Sequence, residues 1–570
     1  METGSERNYL LVAALDFGTT YSGYAYSFRN NPKEIYSPGV WNAGDGGLAS
    51  LRTPTCLLLN PDRSFNDFGF NAENKYADLC ADFKHHEFYF FEKFKMELYH
   101  KTMRRDAVLK DISGKNMPAL LVFSLAVRYL KEELLSTLTK RGTGVSLGDI
   151  KFILTVPAIW SDSSKQFMRE AAVMAGLPNE QLILALEPEV ASVYCLKVPL
   201  ENMPFGEVYN MKTPGYQYLL ADIGGGTADF SVHEVNQDRS VTEIYTASGG
   251  AYGGQDVNER FLEMLLHIFG KETIDVLKSK DMEDYLSICR SFENKKRIVS
   301  DEYLENFRLK LPTEILDECS LDIIQENIRS FYNEDLVSIQ KGKLKISSSL
   351  MKMFFDKSLT KIKDHIHELI SRNSNVKSIL LVGGYGESKL LQSELKKGFP
   401  EKNLVIPQDC NLSVVKGAVL YGYYPLTIFQ RKMRFSYGVK GYALFEKGKH
   451  PEHRKIKLAS GDEHCEDAFD VLVPKNATIP TTGLTISRTY CTASSTQKSM
   501  DVYIYKTEEE NPIIVDGKCS FLKRISLPLP VYSGRERVVE HNFTFGLTEV
   551  KHQAKILETG QCFLNTFDLL

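Results

Sequence analysis

Apolar residues in the first three quarters of the chain occur either in short blocks typical of buried strands or at the spacing typical of helices. Leu10–Leu15 and Tyr218–Ala221 are short apolar blocks, and each leads to an aspartate followed by a glycine-containing turn. Lys151–Val156 is a third block, and Ser163–Ala175 behind it has the composition of a helix. Strands that alternate with helices in this way predict an α/β fold with mixed sheets.

Two further helices are expected in the second half of the chain. Apolar residues recur at helical spacing from Val257 to Ile268, directly after Gly253-Gly254. The same spacing from Leu350 to Ile370 predicts one long amphipathic helix. This helix leads into a strand over Ser378–Val382, which ends at the turn Gly383-Gly384.

The pattern changes near Pro425, beyond which helical spacing is rare. Turn residues there separate several short strand-like runs, among them Phe469–Val473, Met500–Tyr505 and Val538–Thr544. We therefore predict a small β-sandwich over residues 426–570. Residues 8–425 should form the α/β domain, split into two lobes near residues 200–215, because the aspartate–glycine motif occurs in two copies.

Length, charge and cysteine content narrow the class of protein. A chain of 570 residues exceeds the roughly 250–300 residues at which a single core stops growing. The formal net charge of −4 argues against nucleic-acid binding, and no segment approaches the roughly eighteen apolar residues of a membrane span. Ten scattered cysteines lack metal-ligand spacing, which indicates a reducing compartment. We expect the protein to be located in the cytoplasm and leave open whether it also occurs in the nucleus. We also expect a monomer.

The two glycine-containing turns have the composition of phosphate-binding loops. Gly18 in the first turn and Gly224–Gly226 in the second let backbone amides approach phosphate oxygens closely. Hydroxyl groups that can donate to a polyphosphate are those of Thr19, Thr20 and Thr227. Asp16 and Asp222 would repel phosphate unless Mg²⁺ and its water shell lay between, because Mg²⁺ keeps several waters and binds few carboxylates. The two turns thus predict a metal–triphosphate clamped between two lobes.

These turns belong to a longer set of segments that resembles a known family. The segments that carry the resemblance are Asp16–Ser22, Thr155–Ala158, Asp162-Ser163, Glu187-Pro188, Asp222–Asp229, Gly253–Asp256, Glu293–Ser300, Leu381–Gly384, Lys416–Val419 and Leu472–Pro480. Together they resemble the seventy-kilodalton heat-shock chaperones of the actin and sugar-kinase superfamily, and the divergence elsewhere points to the atypical branch called heat shock 70 kDa protein 12. The resemblance implies a two-lobed actin-like ATPase domain that binds ATP or ADP with Mg²⁺.

The resemblance also implies roles for individual residues. The residues that would hold Mg²⁺ through water are Asp16 and Asp222. The implied catalytic residues are Asp16, Lys93, Glu187, Asp222, Thr227 and Asp229. The implied nucleotide-binding residues are Gly18, Thr19, Thr20, Tyr21, Gly224, Gly225, Gly226, Thr227, Gly253, Gly254, Glu293, Lys296, Arg297, Ser300, Gly383, Gly384, Tyr385 and Asn411. Within these sets, Glu187 and Asp229 would orient the attacking water, because phosphoryl transfer depends mainly on positioning.

Several departures from the family pattern bear on activity. Either Lys93 or Lys95 could stand for the family's catalytic lysine. After Gly383-Gly384 this chain has Tyr385 and Glu387, where the family has a serine and an arginine that stacks on adenine. Tyr385 could stack instead, whereas a glutamate supplies no cation. Asn411 stands where the family has an aspartate, so we expect nucleotide binding to survive and leave the hydrolysis rate open.

The β-rich domain differs from the family pattern as well. The family's acidic, leucine-rich linker, its helical lid and its acidic tail have no counterpart between Val419 and the last residue, Leu570. A sandwich without a lid should release an extended peptide quickly. We therefore expect weak or specialised binding of a polypeptide client or a regulatory protein partner.

The sequence is compatible with three functions. The first is an ATP-binding, chaperone-like protein with slow Mg²⁺-dependent hydrolysis. The second is a nucleotide-sensing scaffold or adaptor with little or no ATPase activity, which Glu387, Asn411 and the linker motivate. The third is a small-molecule kinase on the same fold, which the family-like β-rich domain disfavours.

Overall fold

The structure is a computed structural model that describes residues 9–42, 49–101, 103–197, 210–313, 315, 319–457, 461–492, 496–530, 537–546 and 550–566. The chain forms two compact units. The first comprises Met1–Phe230 and Ser248–Pro425, and the second comprises Ser231–Ala247 and Leu426–Leu570. The predicted split between lobes near 200–215 lies largely outside the described residues.

The first unit combines helices with mixed sheets, as predicted. Its helices are Phe70–Ala81, Glu97–His100, Ala119–Lys140, Asp162–Met174, Glu187–Lys197, Gln255–Phe269, Lys271–Lys280, Met282–Arg297, Leu321–Phe331, Ser348–Met353, Asp356–Arg372, Lys389–Gly398 and Ser413–Tyr423. Its short strands outside the two main sheets are Trp41–Asn42, Ala49–Ser50, Cys56–Leu59, Phe65–Phe68, Tyr89–Glu92, Val108–Lys110, Asn116–Pro118, Phe307–Lys310, Val337–Gln340 and Lys343–Ile346. The predicted helices over 163–175 and 257–268 are confirmed, with ends that differ by a few residues.

Two main sheets place the glycine turns at strand ends. The first sheet has the strand order Leu182–Leu186, Ile150–Val156, Leu11–Asp16, Tyr21–Phe28 and Thr53–Pro54. The second contains, in order, Asn403–Val405, Val376–Val382, Gln217–Ile223 and Ala228–Val235. The strand Leu11–Asp16 runs parallel to Ile150–Val156 and antiparallel to Tyr21–Phe28, and the strand Gln217–Ile223, which carries Asp222, runs parallel to Val376–Val382. Because the carboxyl ends of parallel strands meet at one edge, the residues that follow these strands are brought together.

One element prediction is wrong. The single long helix expected from Leu350 to Ile370 is two helices, Ser348–Met353 and Asp356–Arg372. Between them, the backbone amide of Phe355 donates to the carbonyl of Lys352, a shorter connection than the α-helical one. The Phe354 ring lies 6.2 Å from that of Phe292, whereas the Phe355 ring lies 6.1 Å from that of Tyr385. Burial of two consecutive rings against different partners accounts for the break.

The second unit is built mainly from two antiparallel sheets. One has the order Lys455–Lys457, Glu463–Val473, Ser436–Leu444, Ser499–Thr507 and Ser520–Pro528, and the other has Leu484–Cys491, Val538–Phe545, Lys551–Ile556 and Cys562–Thr566. Outside them, Ile428–Lys432 pairs with Thr478–Pro480. A single hydrophobic cluster draws on both sheets, through residues such as Ile504 and Phe543. The three strands predicted in this part of the chain are confirmed.

Two findings concern the whole described chain. Within the described ranges, no helix has the length and the apolar character that a membrane crossing requires. All ten cysteines carry free thiols, and six of them are buried. The thiols therefore act mainly as small packing groups.

Candidate functional site

A cavity of about 310 Å³ lies in the first unit, where the turns at the strand ends meet. Its lining consists of Asp16, Gly18, Thr19, Thr20, Tyr21, Ser50, Arg52, Lys95, Glu187, Asp222, Gly224, Gly225, Gly226, Thr227, Gly254, Gln255, Asn258, Glu293, Lys296, Arg297, Phe355, Gly383, Gly384, Tyr385, Glu387, Ser388, Asn411 and Val414. The set is polar at the strand ends and partly apolar around Phe355 and Tyr385. The cavity therefore has a charged end and an end suited to a flat organic group.

The two glycine turns contact each other at the charged end. The Gln255 side-chain amide donates to Thr20 Oγ1 at 3.2 Å. A Cβ added to Gly225 would lie only 1.8 Å from that same Thr20 oxygen, so no larger residue fits without displacement of the turn. The first turn therefore packs directly on the second, and the contact depends on glycine at this position.

The carbonyl groups of the second turn accept hydrogen bonds from backbone amides that lie beside it in space. The backbone amides of Gly253, Gly254 and Gln255 donate to the carbonyls of Gly226, Gly224 and Gly225, at 3.3, 3.1 and 2.7 Å respectively. Within the described residues, the backbone amides of Gly225 and Gly226 have no acceptor of their own. Because the carbonyls of the turn already accept these hydrogen bonds, the amides of Gly225 and Gly226 are available to bind an anion. This is the arrangement of a phosphate-binding nest.

Two ion pairs neutralise acids in the cavity. Lys95 Nζ lies 3.0 Å from Glu187 Oε1, and the two side chains are 3% and 12% exposed. Arg52 Nη2 lies 2.5 Å from Asp16 Oδ2. Because both pairs are largely removed from solvent, loss of either partner would leave an unscreened charge.

The remaining acids at this end are held close together. Burial raises the pKa of Asp222 well above its usual range, and the negative charges of Glu187, Asp229 and Asp16 raise it further. Burial, followed by the charge of Glu187, raises the pKa of Asp229 to about 7. Burial also raises the pKa of Glu187, although Lys95 opposes that effect. Such a cluster favours the arrival of a cation, although no three histidine, cysteine, aspartate or glutamate side chains in the described ranges are placed to ligate a metal directly.

The other end of the cavity is bounded by the helix Met282–Arg297. Glu293 Oε2 lies 2.6 Å from Lys296 Nζ, and its Oε1 lies 3.2 Å from Arg297 Nε. The Lys296 ammonium also donates to Asn258 Oδ1 at 2.9 Å, which fixes the helix to its neighbour. These polar groups can donate hydrogen bonds to, and accept them from, hydroxyl groups such as those of a sugar.

Tyr385 and Glu387 form the opposite wall. The Tyr385 hydroxyl is 2.8 Å from Ser358 Oγ, so the ring is held in a fixed orientation. Burial raises the pKa of Glu387, and the positive charge of Arg297 opposes the effect. A flat organic ring bound in this part of the cavity would therefore contact a tyrosine ring and a carboxyl group.

Most of the site residues expected from the sequence line this cavity, and four do not. Lys93 is exposed, with φ of 55°, and it is Lys95 that reaches the cavity. Asp229 is 1% exposed and accepts a hydrogen bond from the Ile159 amide at 3.2 Å. Gly253 supports the second turn from outside, and Ser300 lies beyond the end of the helix Met282–Arg297.

Sequence reasoning missed several lining residues, of which Arg52 is the most important. No motif surrounds Arg52, whose position follows from pairing of Thr53–Pro54 with the strand Tyr21–Phe28. Asn258, Phe355 and Val414, which lie on or between helices, were missed as well. Helical spacing could have indicated Asn258, since it lies on a predicted helix close to the Gly253-Gly254 turn.

Comparison with known proteins is consistent with this geometry. The family model described as "Hsp70 protein" matches residues 89–423. The chain is 32% identical over 631 positions to "Heat shock 70 kDa protein 12A" of Mus musculus and of Homo sapiens, which covers 98% of this chain and 92% of each relative. It is also 32% identical over 633 positions to "Heat shock 70 kDa protein 12B" of Homo sapiens, with 99% and 92% covered. The chain therefore belongs to the Hsp70 family, in the branch of heat shock 70 kDa protein 12.

Proposed function

We propose that this protein binds ATP or ADP with Mg²⁺ in the cavity and couples the bound nucleotide, weakly, to a polypeptide partner. The observation that carries the proposal is the contact between the two glycine turns, which presents the amides of Gly225 and Gly226 at the charged end. Triphosphate would lie on these amides and on the hydroxyls of Thr19, Thr20 and Thr227. The sugar would face Glu293 and Lys296, and the base would lie beside Tyr385.

The acids of the cavity fit a hydrated divalent cation. Asp16 and Asp222 would hold Mg²⁺ through its waters, since Mg²⁺ prefers oxygen ligands and gives up water reluctantly. Within the described ranges no ion pair reaches Asp222, so a cation there would relieve the mutual repulsion of the buried carboxylates. When bound, Mg²⁺ would neutralise charge on the phosphate oxygens.

Hydrolysis at this site would be slow. Glu187 lines the cavity in a fixed position, because Lys95 holds its carboxylate. Asp229, the second group expected to orient water, is buried and bonded to the Ile159 amide instead of facing the cavity. A reaction that depends on positioned groups proceeds slowly when one of them must first move.

The domain organisation would follow the family. The sheets that carry Asp16 and Asp222 would belong to two lobes within residues 8–425, and residues 426–570 would form a β-sandwich that binds a client or regulatory protein. We further propose a cytoplasmic, monomeric protein. A nucleotide-sensing scaffold without significant turnover is the second candidate function, and the shielded position of Asp229 favours it.

Single-turnover hydrolysis of pre-bound ATP, beside direct measurement of ADP affinity, tests both functions. Asp229→Ala is the test variant, and Asp106→Ala, which removes an exposed carboxylate in a surface ion pair, is the matched control. A clear rate that only Asp229→Ala abolishes supports a working ATPase. Tight binding without phosphate release in any protein supports the scaffold. Absence of nucleotide binding by the unmodified protein would refute the proposal.

A further inference from the structure

Arg52 reaches into the charged end of the cavity from outside both glycine turns. Its Nη2 donates to Asp16 Oδ2 at 2.5 Å and to the carbonyl of Tyr21 at 2.9 Å. Its Nη1 donates to the carbonyl of Asn411 at 3.3 Å. With its side chain only 16% exposed, the guanidinium is a fixed part of the site.

The guanidinium makes the two aspartates of the repeated motif unequal. Asp16 has both oxygens engaged, because Thr155 Oγ1 donates to Oδ1 at 2.9 Å while Arg52 holds Oδ2. Asp222 has no ion-pair partner in the part of the chain that the structure describes. Thus the acid of the first turn has a cationic partner within hydrogen-bond distance, and within the described residues that of the second has none.

The same guanidinium lies beside the first phosphate turn. A Cβ added to Gly18 would be 3.0 Å from Arg52 Nη2. Within the described residues, Arg52 Nε has no hydrogen-bond partner, although it is buried. Arginine suits this place, since its planar fork can bind a carboxylate and still present N–H groups to a phosphate.

The other cations that line the cavity are engaged elsewhere. Lys95 is paired with Glu187, and the two cations at the end of the helix Met282–Arg297 share Glu293. Arg52 is paired as well, with Asp16, but its Nη2 lies beside Gly18, so it is the lining cation placed to act on phosphates at the first turn.

We propose that Arg52 is a permanent cation of the phosphate site. It supplies the phosphates with part of the positive charge that would otherwise have to come from bound Mg²⁺. The inference rests on the proposed nucleotide binding and adds to it a residue and a property. This narrows the role proposed above for Asp16: with both oxygens engaged it positions Arg52, and Asp222 alone is the acid that faces the water shell of the metal. Consequently ADP keeps substantial affinity when Mg²⁺ is withdrawn.

The test compares the Kd of ADP in Mg²⁺ and in EDTA by isothermal titration calorimetry, for the full chain. We expect the unmodified protein to lose less than about tenfold in affinity in EDTA. Arg52→Gln should lose roughly 10- to 100-fold more in EDTA, the value of a charge-assisted phosphate contact. Arg52→Lys, which keeps the charge, should lie between the two. Arg105→Gln removes a surface arginine from a bidentate pair with Glu170 and should behave like the unmodified protein.

A second pair of variants separates the roles of the aspartates. Asp222→Asn should abolish the gain in affinity that Mg²⁺ gives, whereas Asp16→Asn should keep most of it. This pair decides the matter if circular dichroism shows that Arg52→Gln does not fold. An unchanged dependence on Mg²⁺ in folded Arg52→Gln, or loss of the Mg²⁺ gain in Asp16→Asn as in Asp222→Asn, overturns the inference. Failure of the unmodified protein to bind ADP under either condition instead refutes the proposed function, and the inference with it.

Discussion

Replacement of Lys95 by methionine should destabilise the protein, whereas the same replacement at Lys93 should not. Lys95 is 3% exposed, lies 3.0 Å from Glu187, and has its Nζ 5.1 Å from the centroid of the Trp160 ring. Methionine fills a similar volume without the charge. Lys93 is exposed and two residues away, so it serves as a matched control.

The size of the effect follows from the fate of Glu187. Once Lys95 is gone, the carboxyl must either stay charged without a partner or take up a proton. For a group with an ordinary pKa of 4.5, protonation at pH 7 costs about 3.4 kcal/mol. Burial already raises the pKa of Glu187, which lowers this cost, while the lost contact with Trp160 adds about 0.5–1 kcal/mol. We therefore expect Lys95→Met to lower the free energy of unfolding by about 2–3 kcal/mol.

Urea unfolding at pH 7, followed by circular dichroism, measures this change. The Lys95→Met/Glu187→Gln double variant should recover most of the loss, because an apolar and a neutral residue replace the buried pair. Lys93→Met should stay within about 0.5 kcal/mol of the unmodified protein, as surface changes do. A loss below about 0.5 kcal/mol for Lys95→Met, or no recovery in the double variant, would show that the pair is not the buried, coupled unit described here.

Three further outcomes are expected. Gly225→Ala should weaken ADP binding by more than about tenfold in calorimetry, since its Cβ would lie 1.8 Å from Thr20 Oγ1 and displace the turn. Gly517→Ala is the control: its added Cβ would have no neighbouring atom within 4 Å, and the variant should bind ADP normally. The pKa of Asp229 is raised to about 7 from 3.8, so folding favours its protonated form and stability falls as the pH rises from 4 to 7. Urea titrations of Asp229→Asn should show a smaller fall over that range, and a slope equal to that of the unmodified protein would contradict this. Burial lowers the pKa of His541 to about 3 and that of His552 to about 4. Both are neutral in the folded state, so stability is lost as the pH falls below 6.5, and His541→Phe should lessen that loss in thermal melts.

The features that the sequence predicted well are those with local causes. The turns at Asp16 and Asp222 follow apolar blocks directly, and glycine with threonine leaves few alternatives to a tight polar turn. The choice between Lys93 and Lys95 could not be made in this way, because it depends on contacts of Lys95 with Glu187 and Trp160, which are distant in the sequence. Arg52 is placed by strand pairing, which no local pattern reveals.

In the proposed function, nucleotide binding and hydrolysis would depend on different parts of this cavity. Binding would rely on the backbone amides of the second turn, whose geometry is maintained by hydrogen bonds from Gly253, Gly254 and Gln255. Hydrolysis would rely on the carboxylates of Glu187, which Lys95 holds, and of Asp229, which is bonded to the Ile159 amide. Changes to the turn should therefore abolish both properties, and changes at Asp229 should affect turnover without affecting nucleotide binding. A chaperone-like ATPase and a nucleotide sensor would accordingly share one binding site and differ in whether Asp229 can leave the Ile159 amide during the life of the complex.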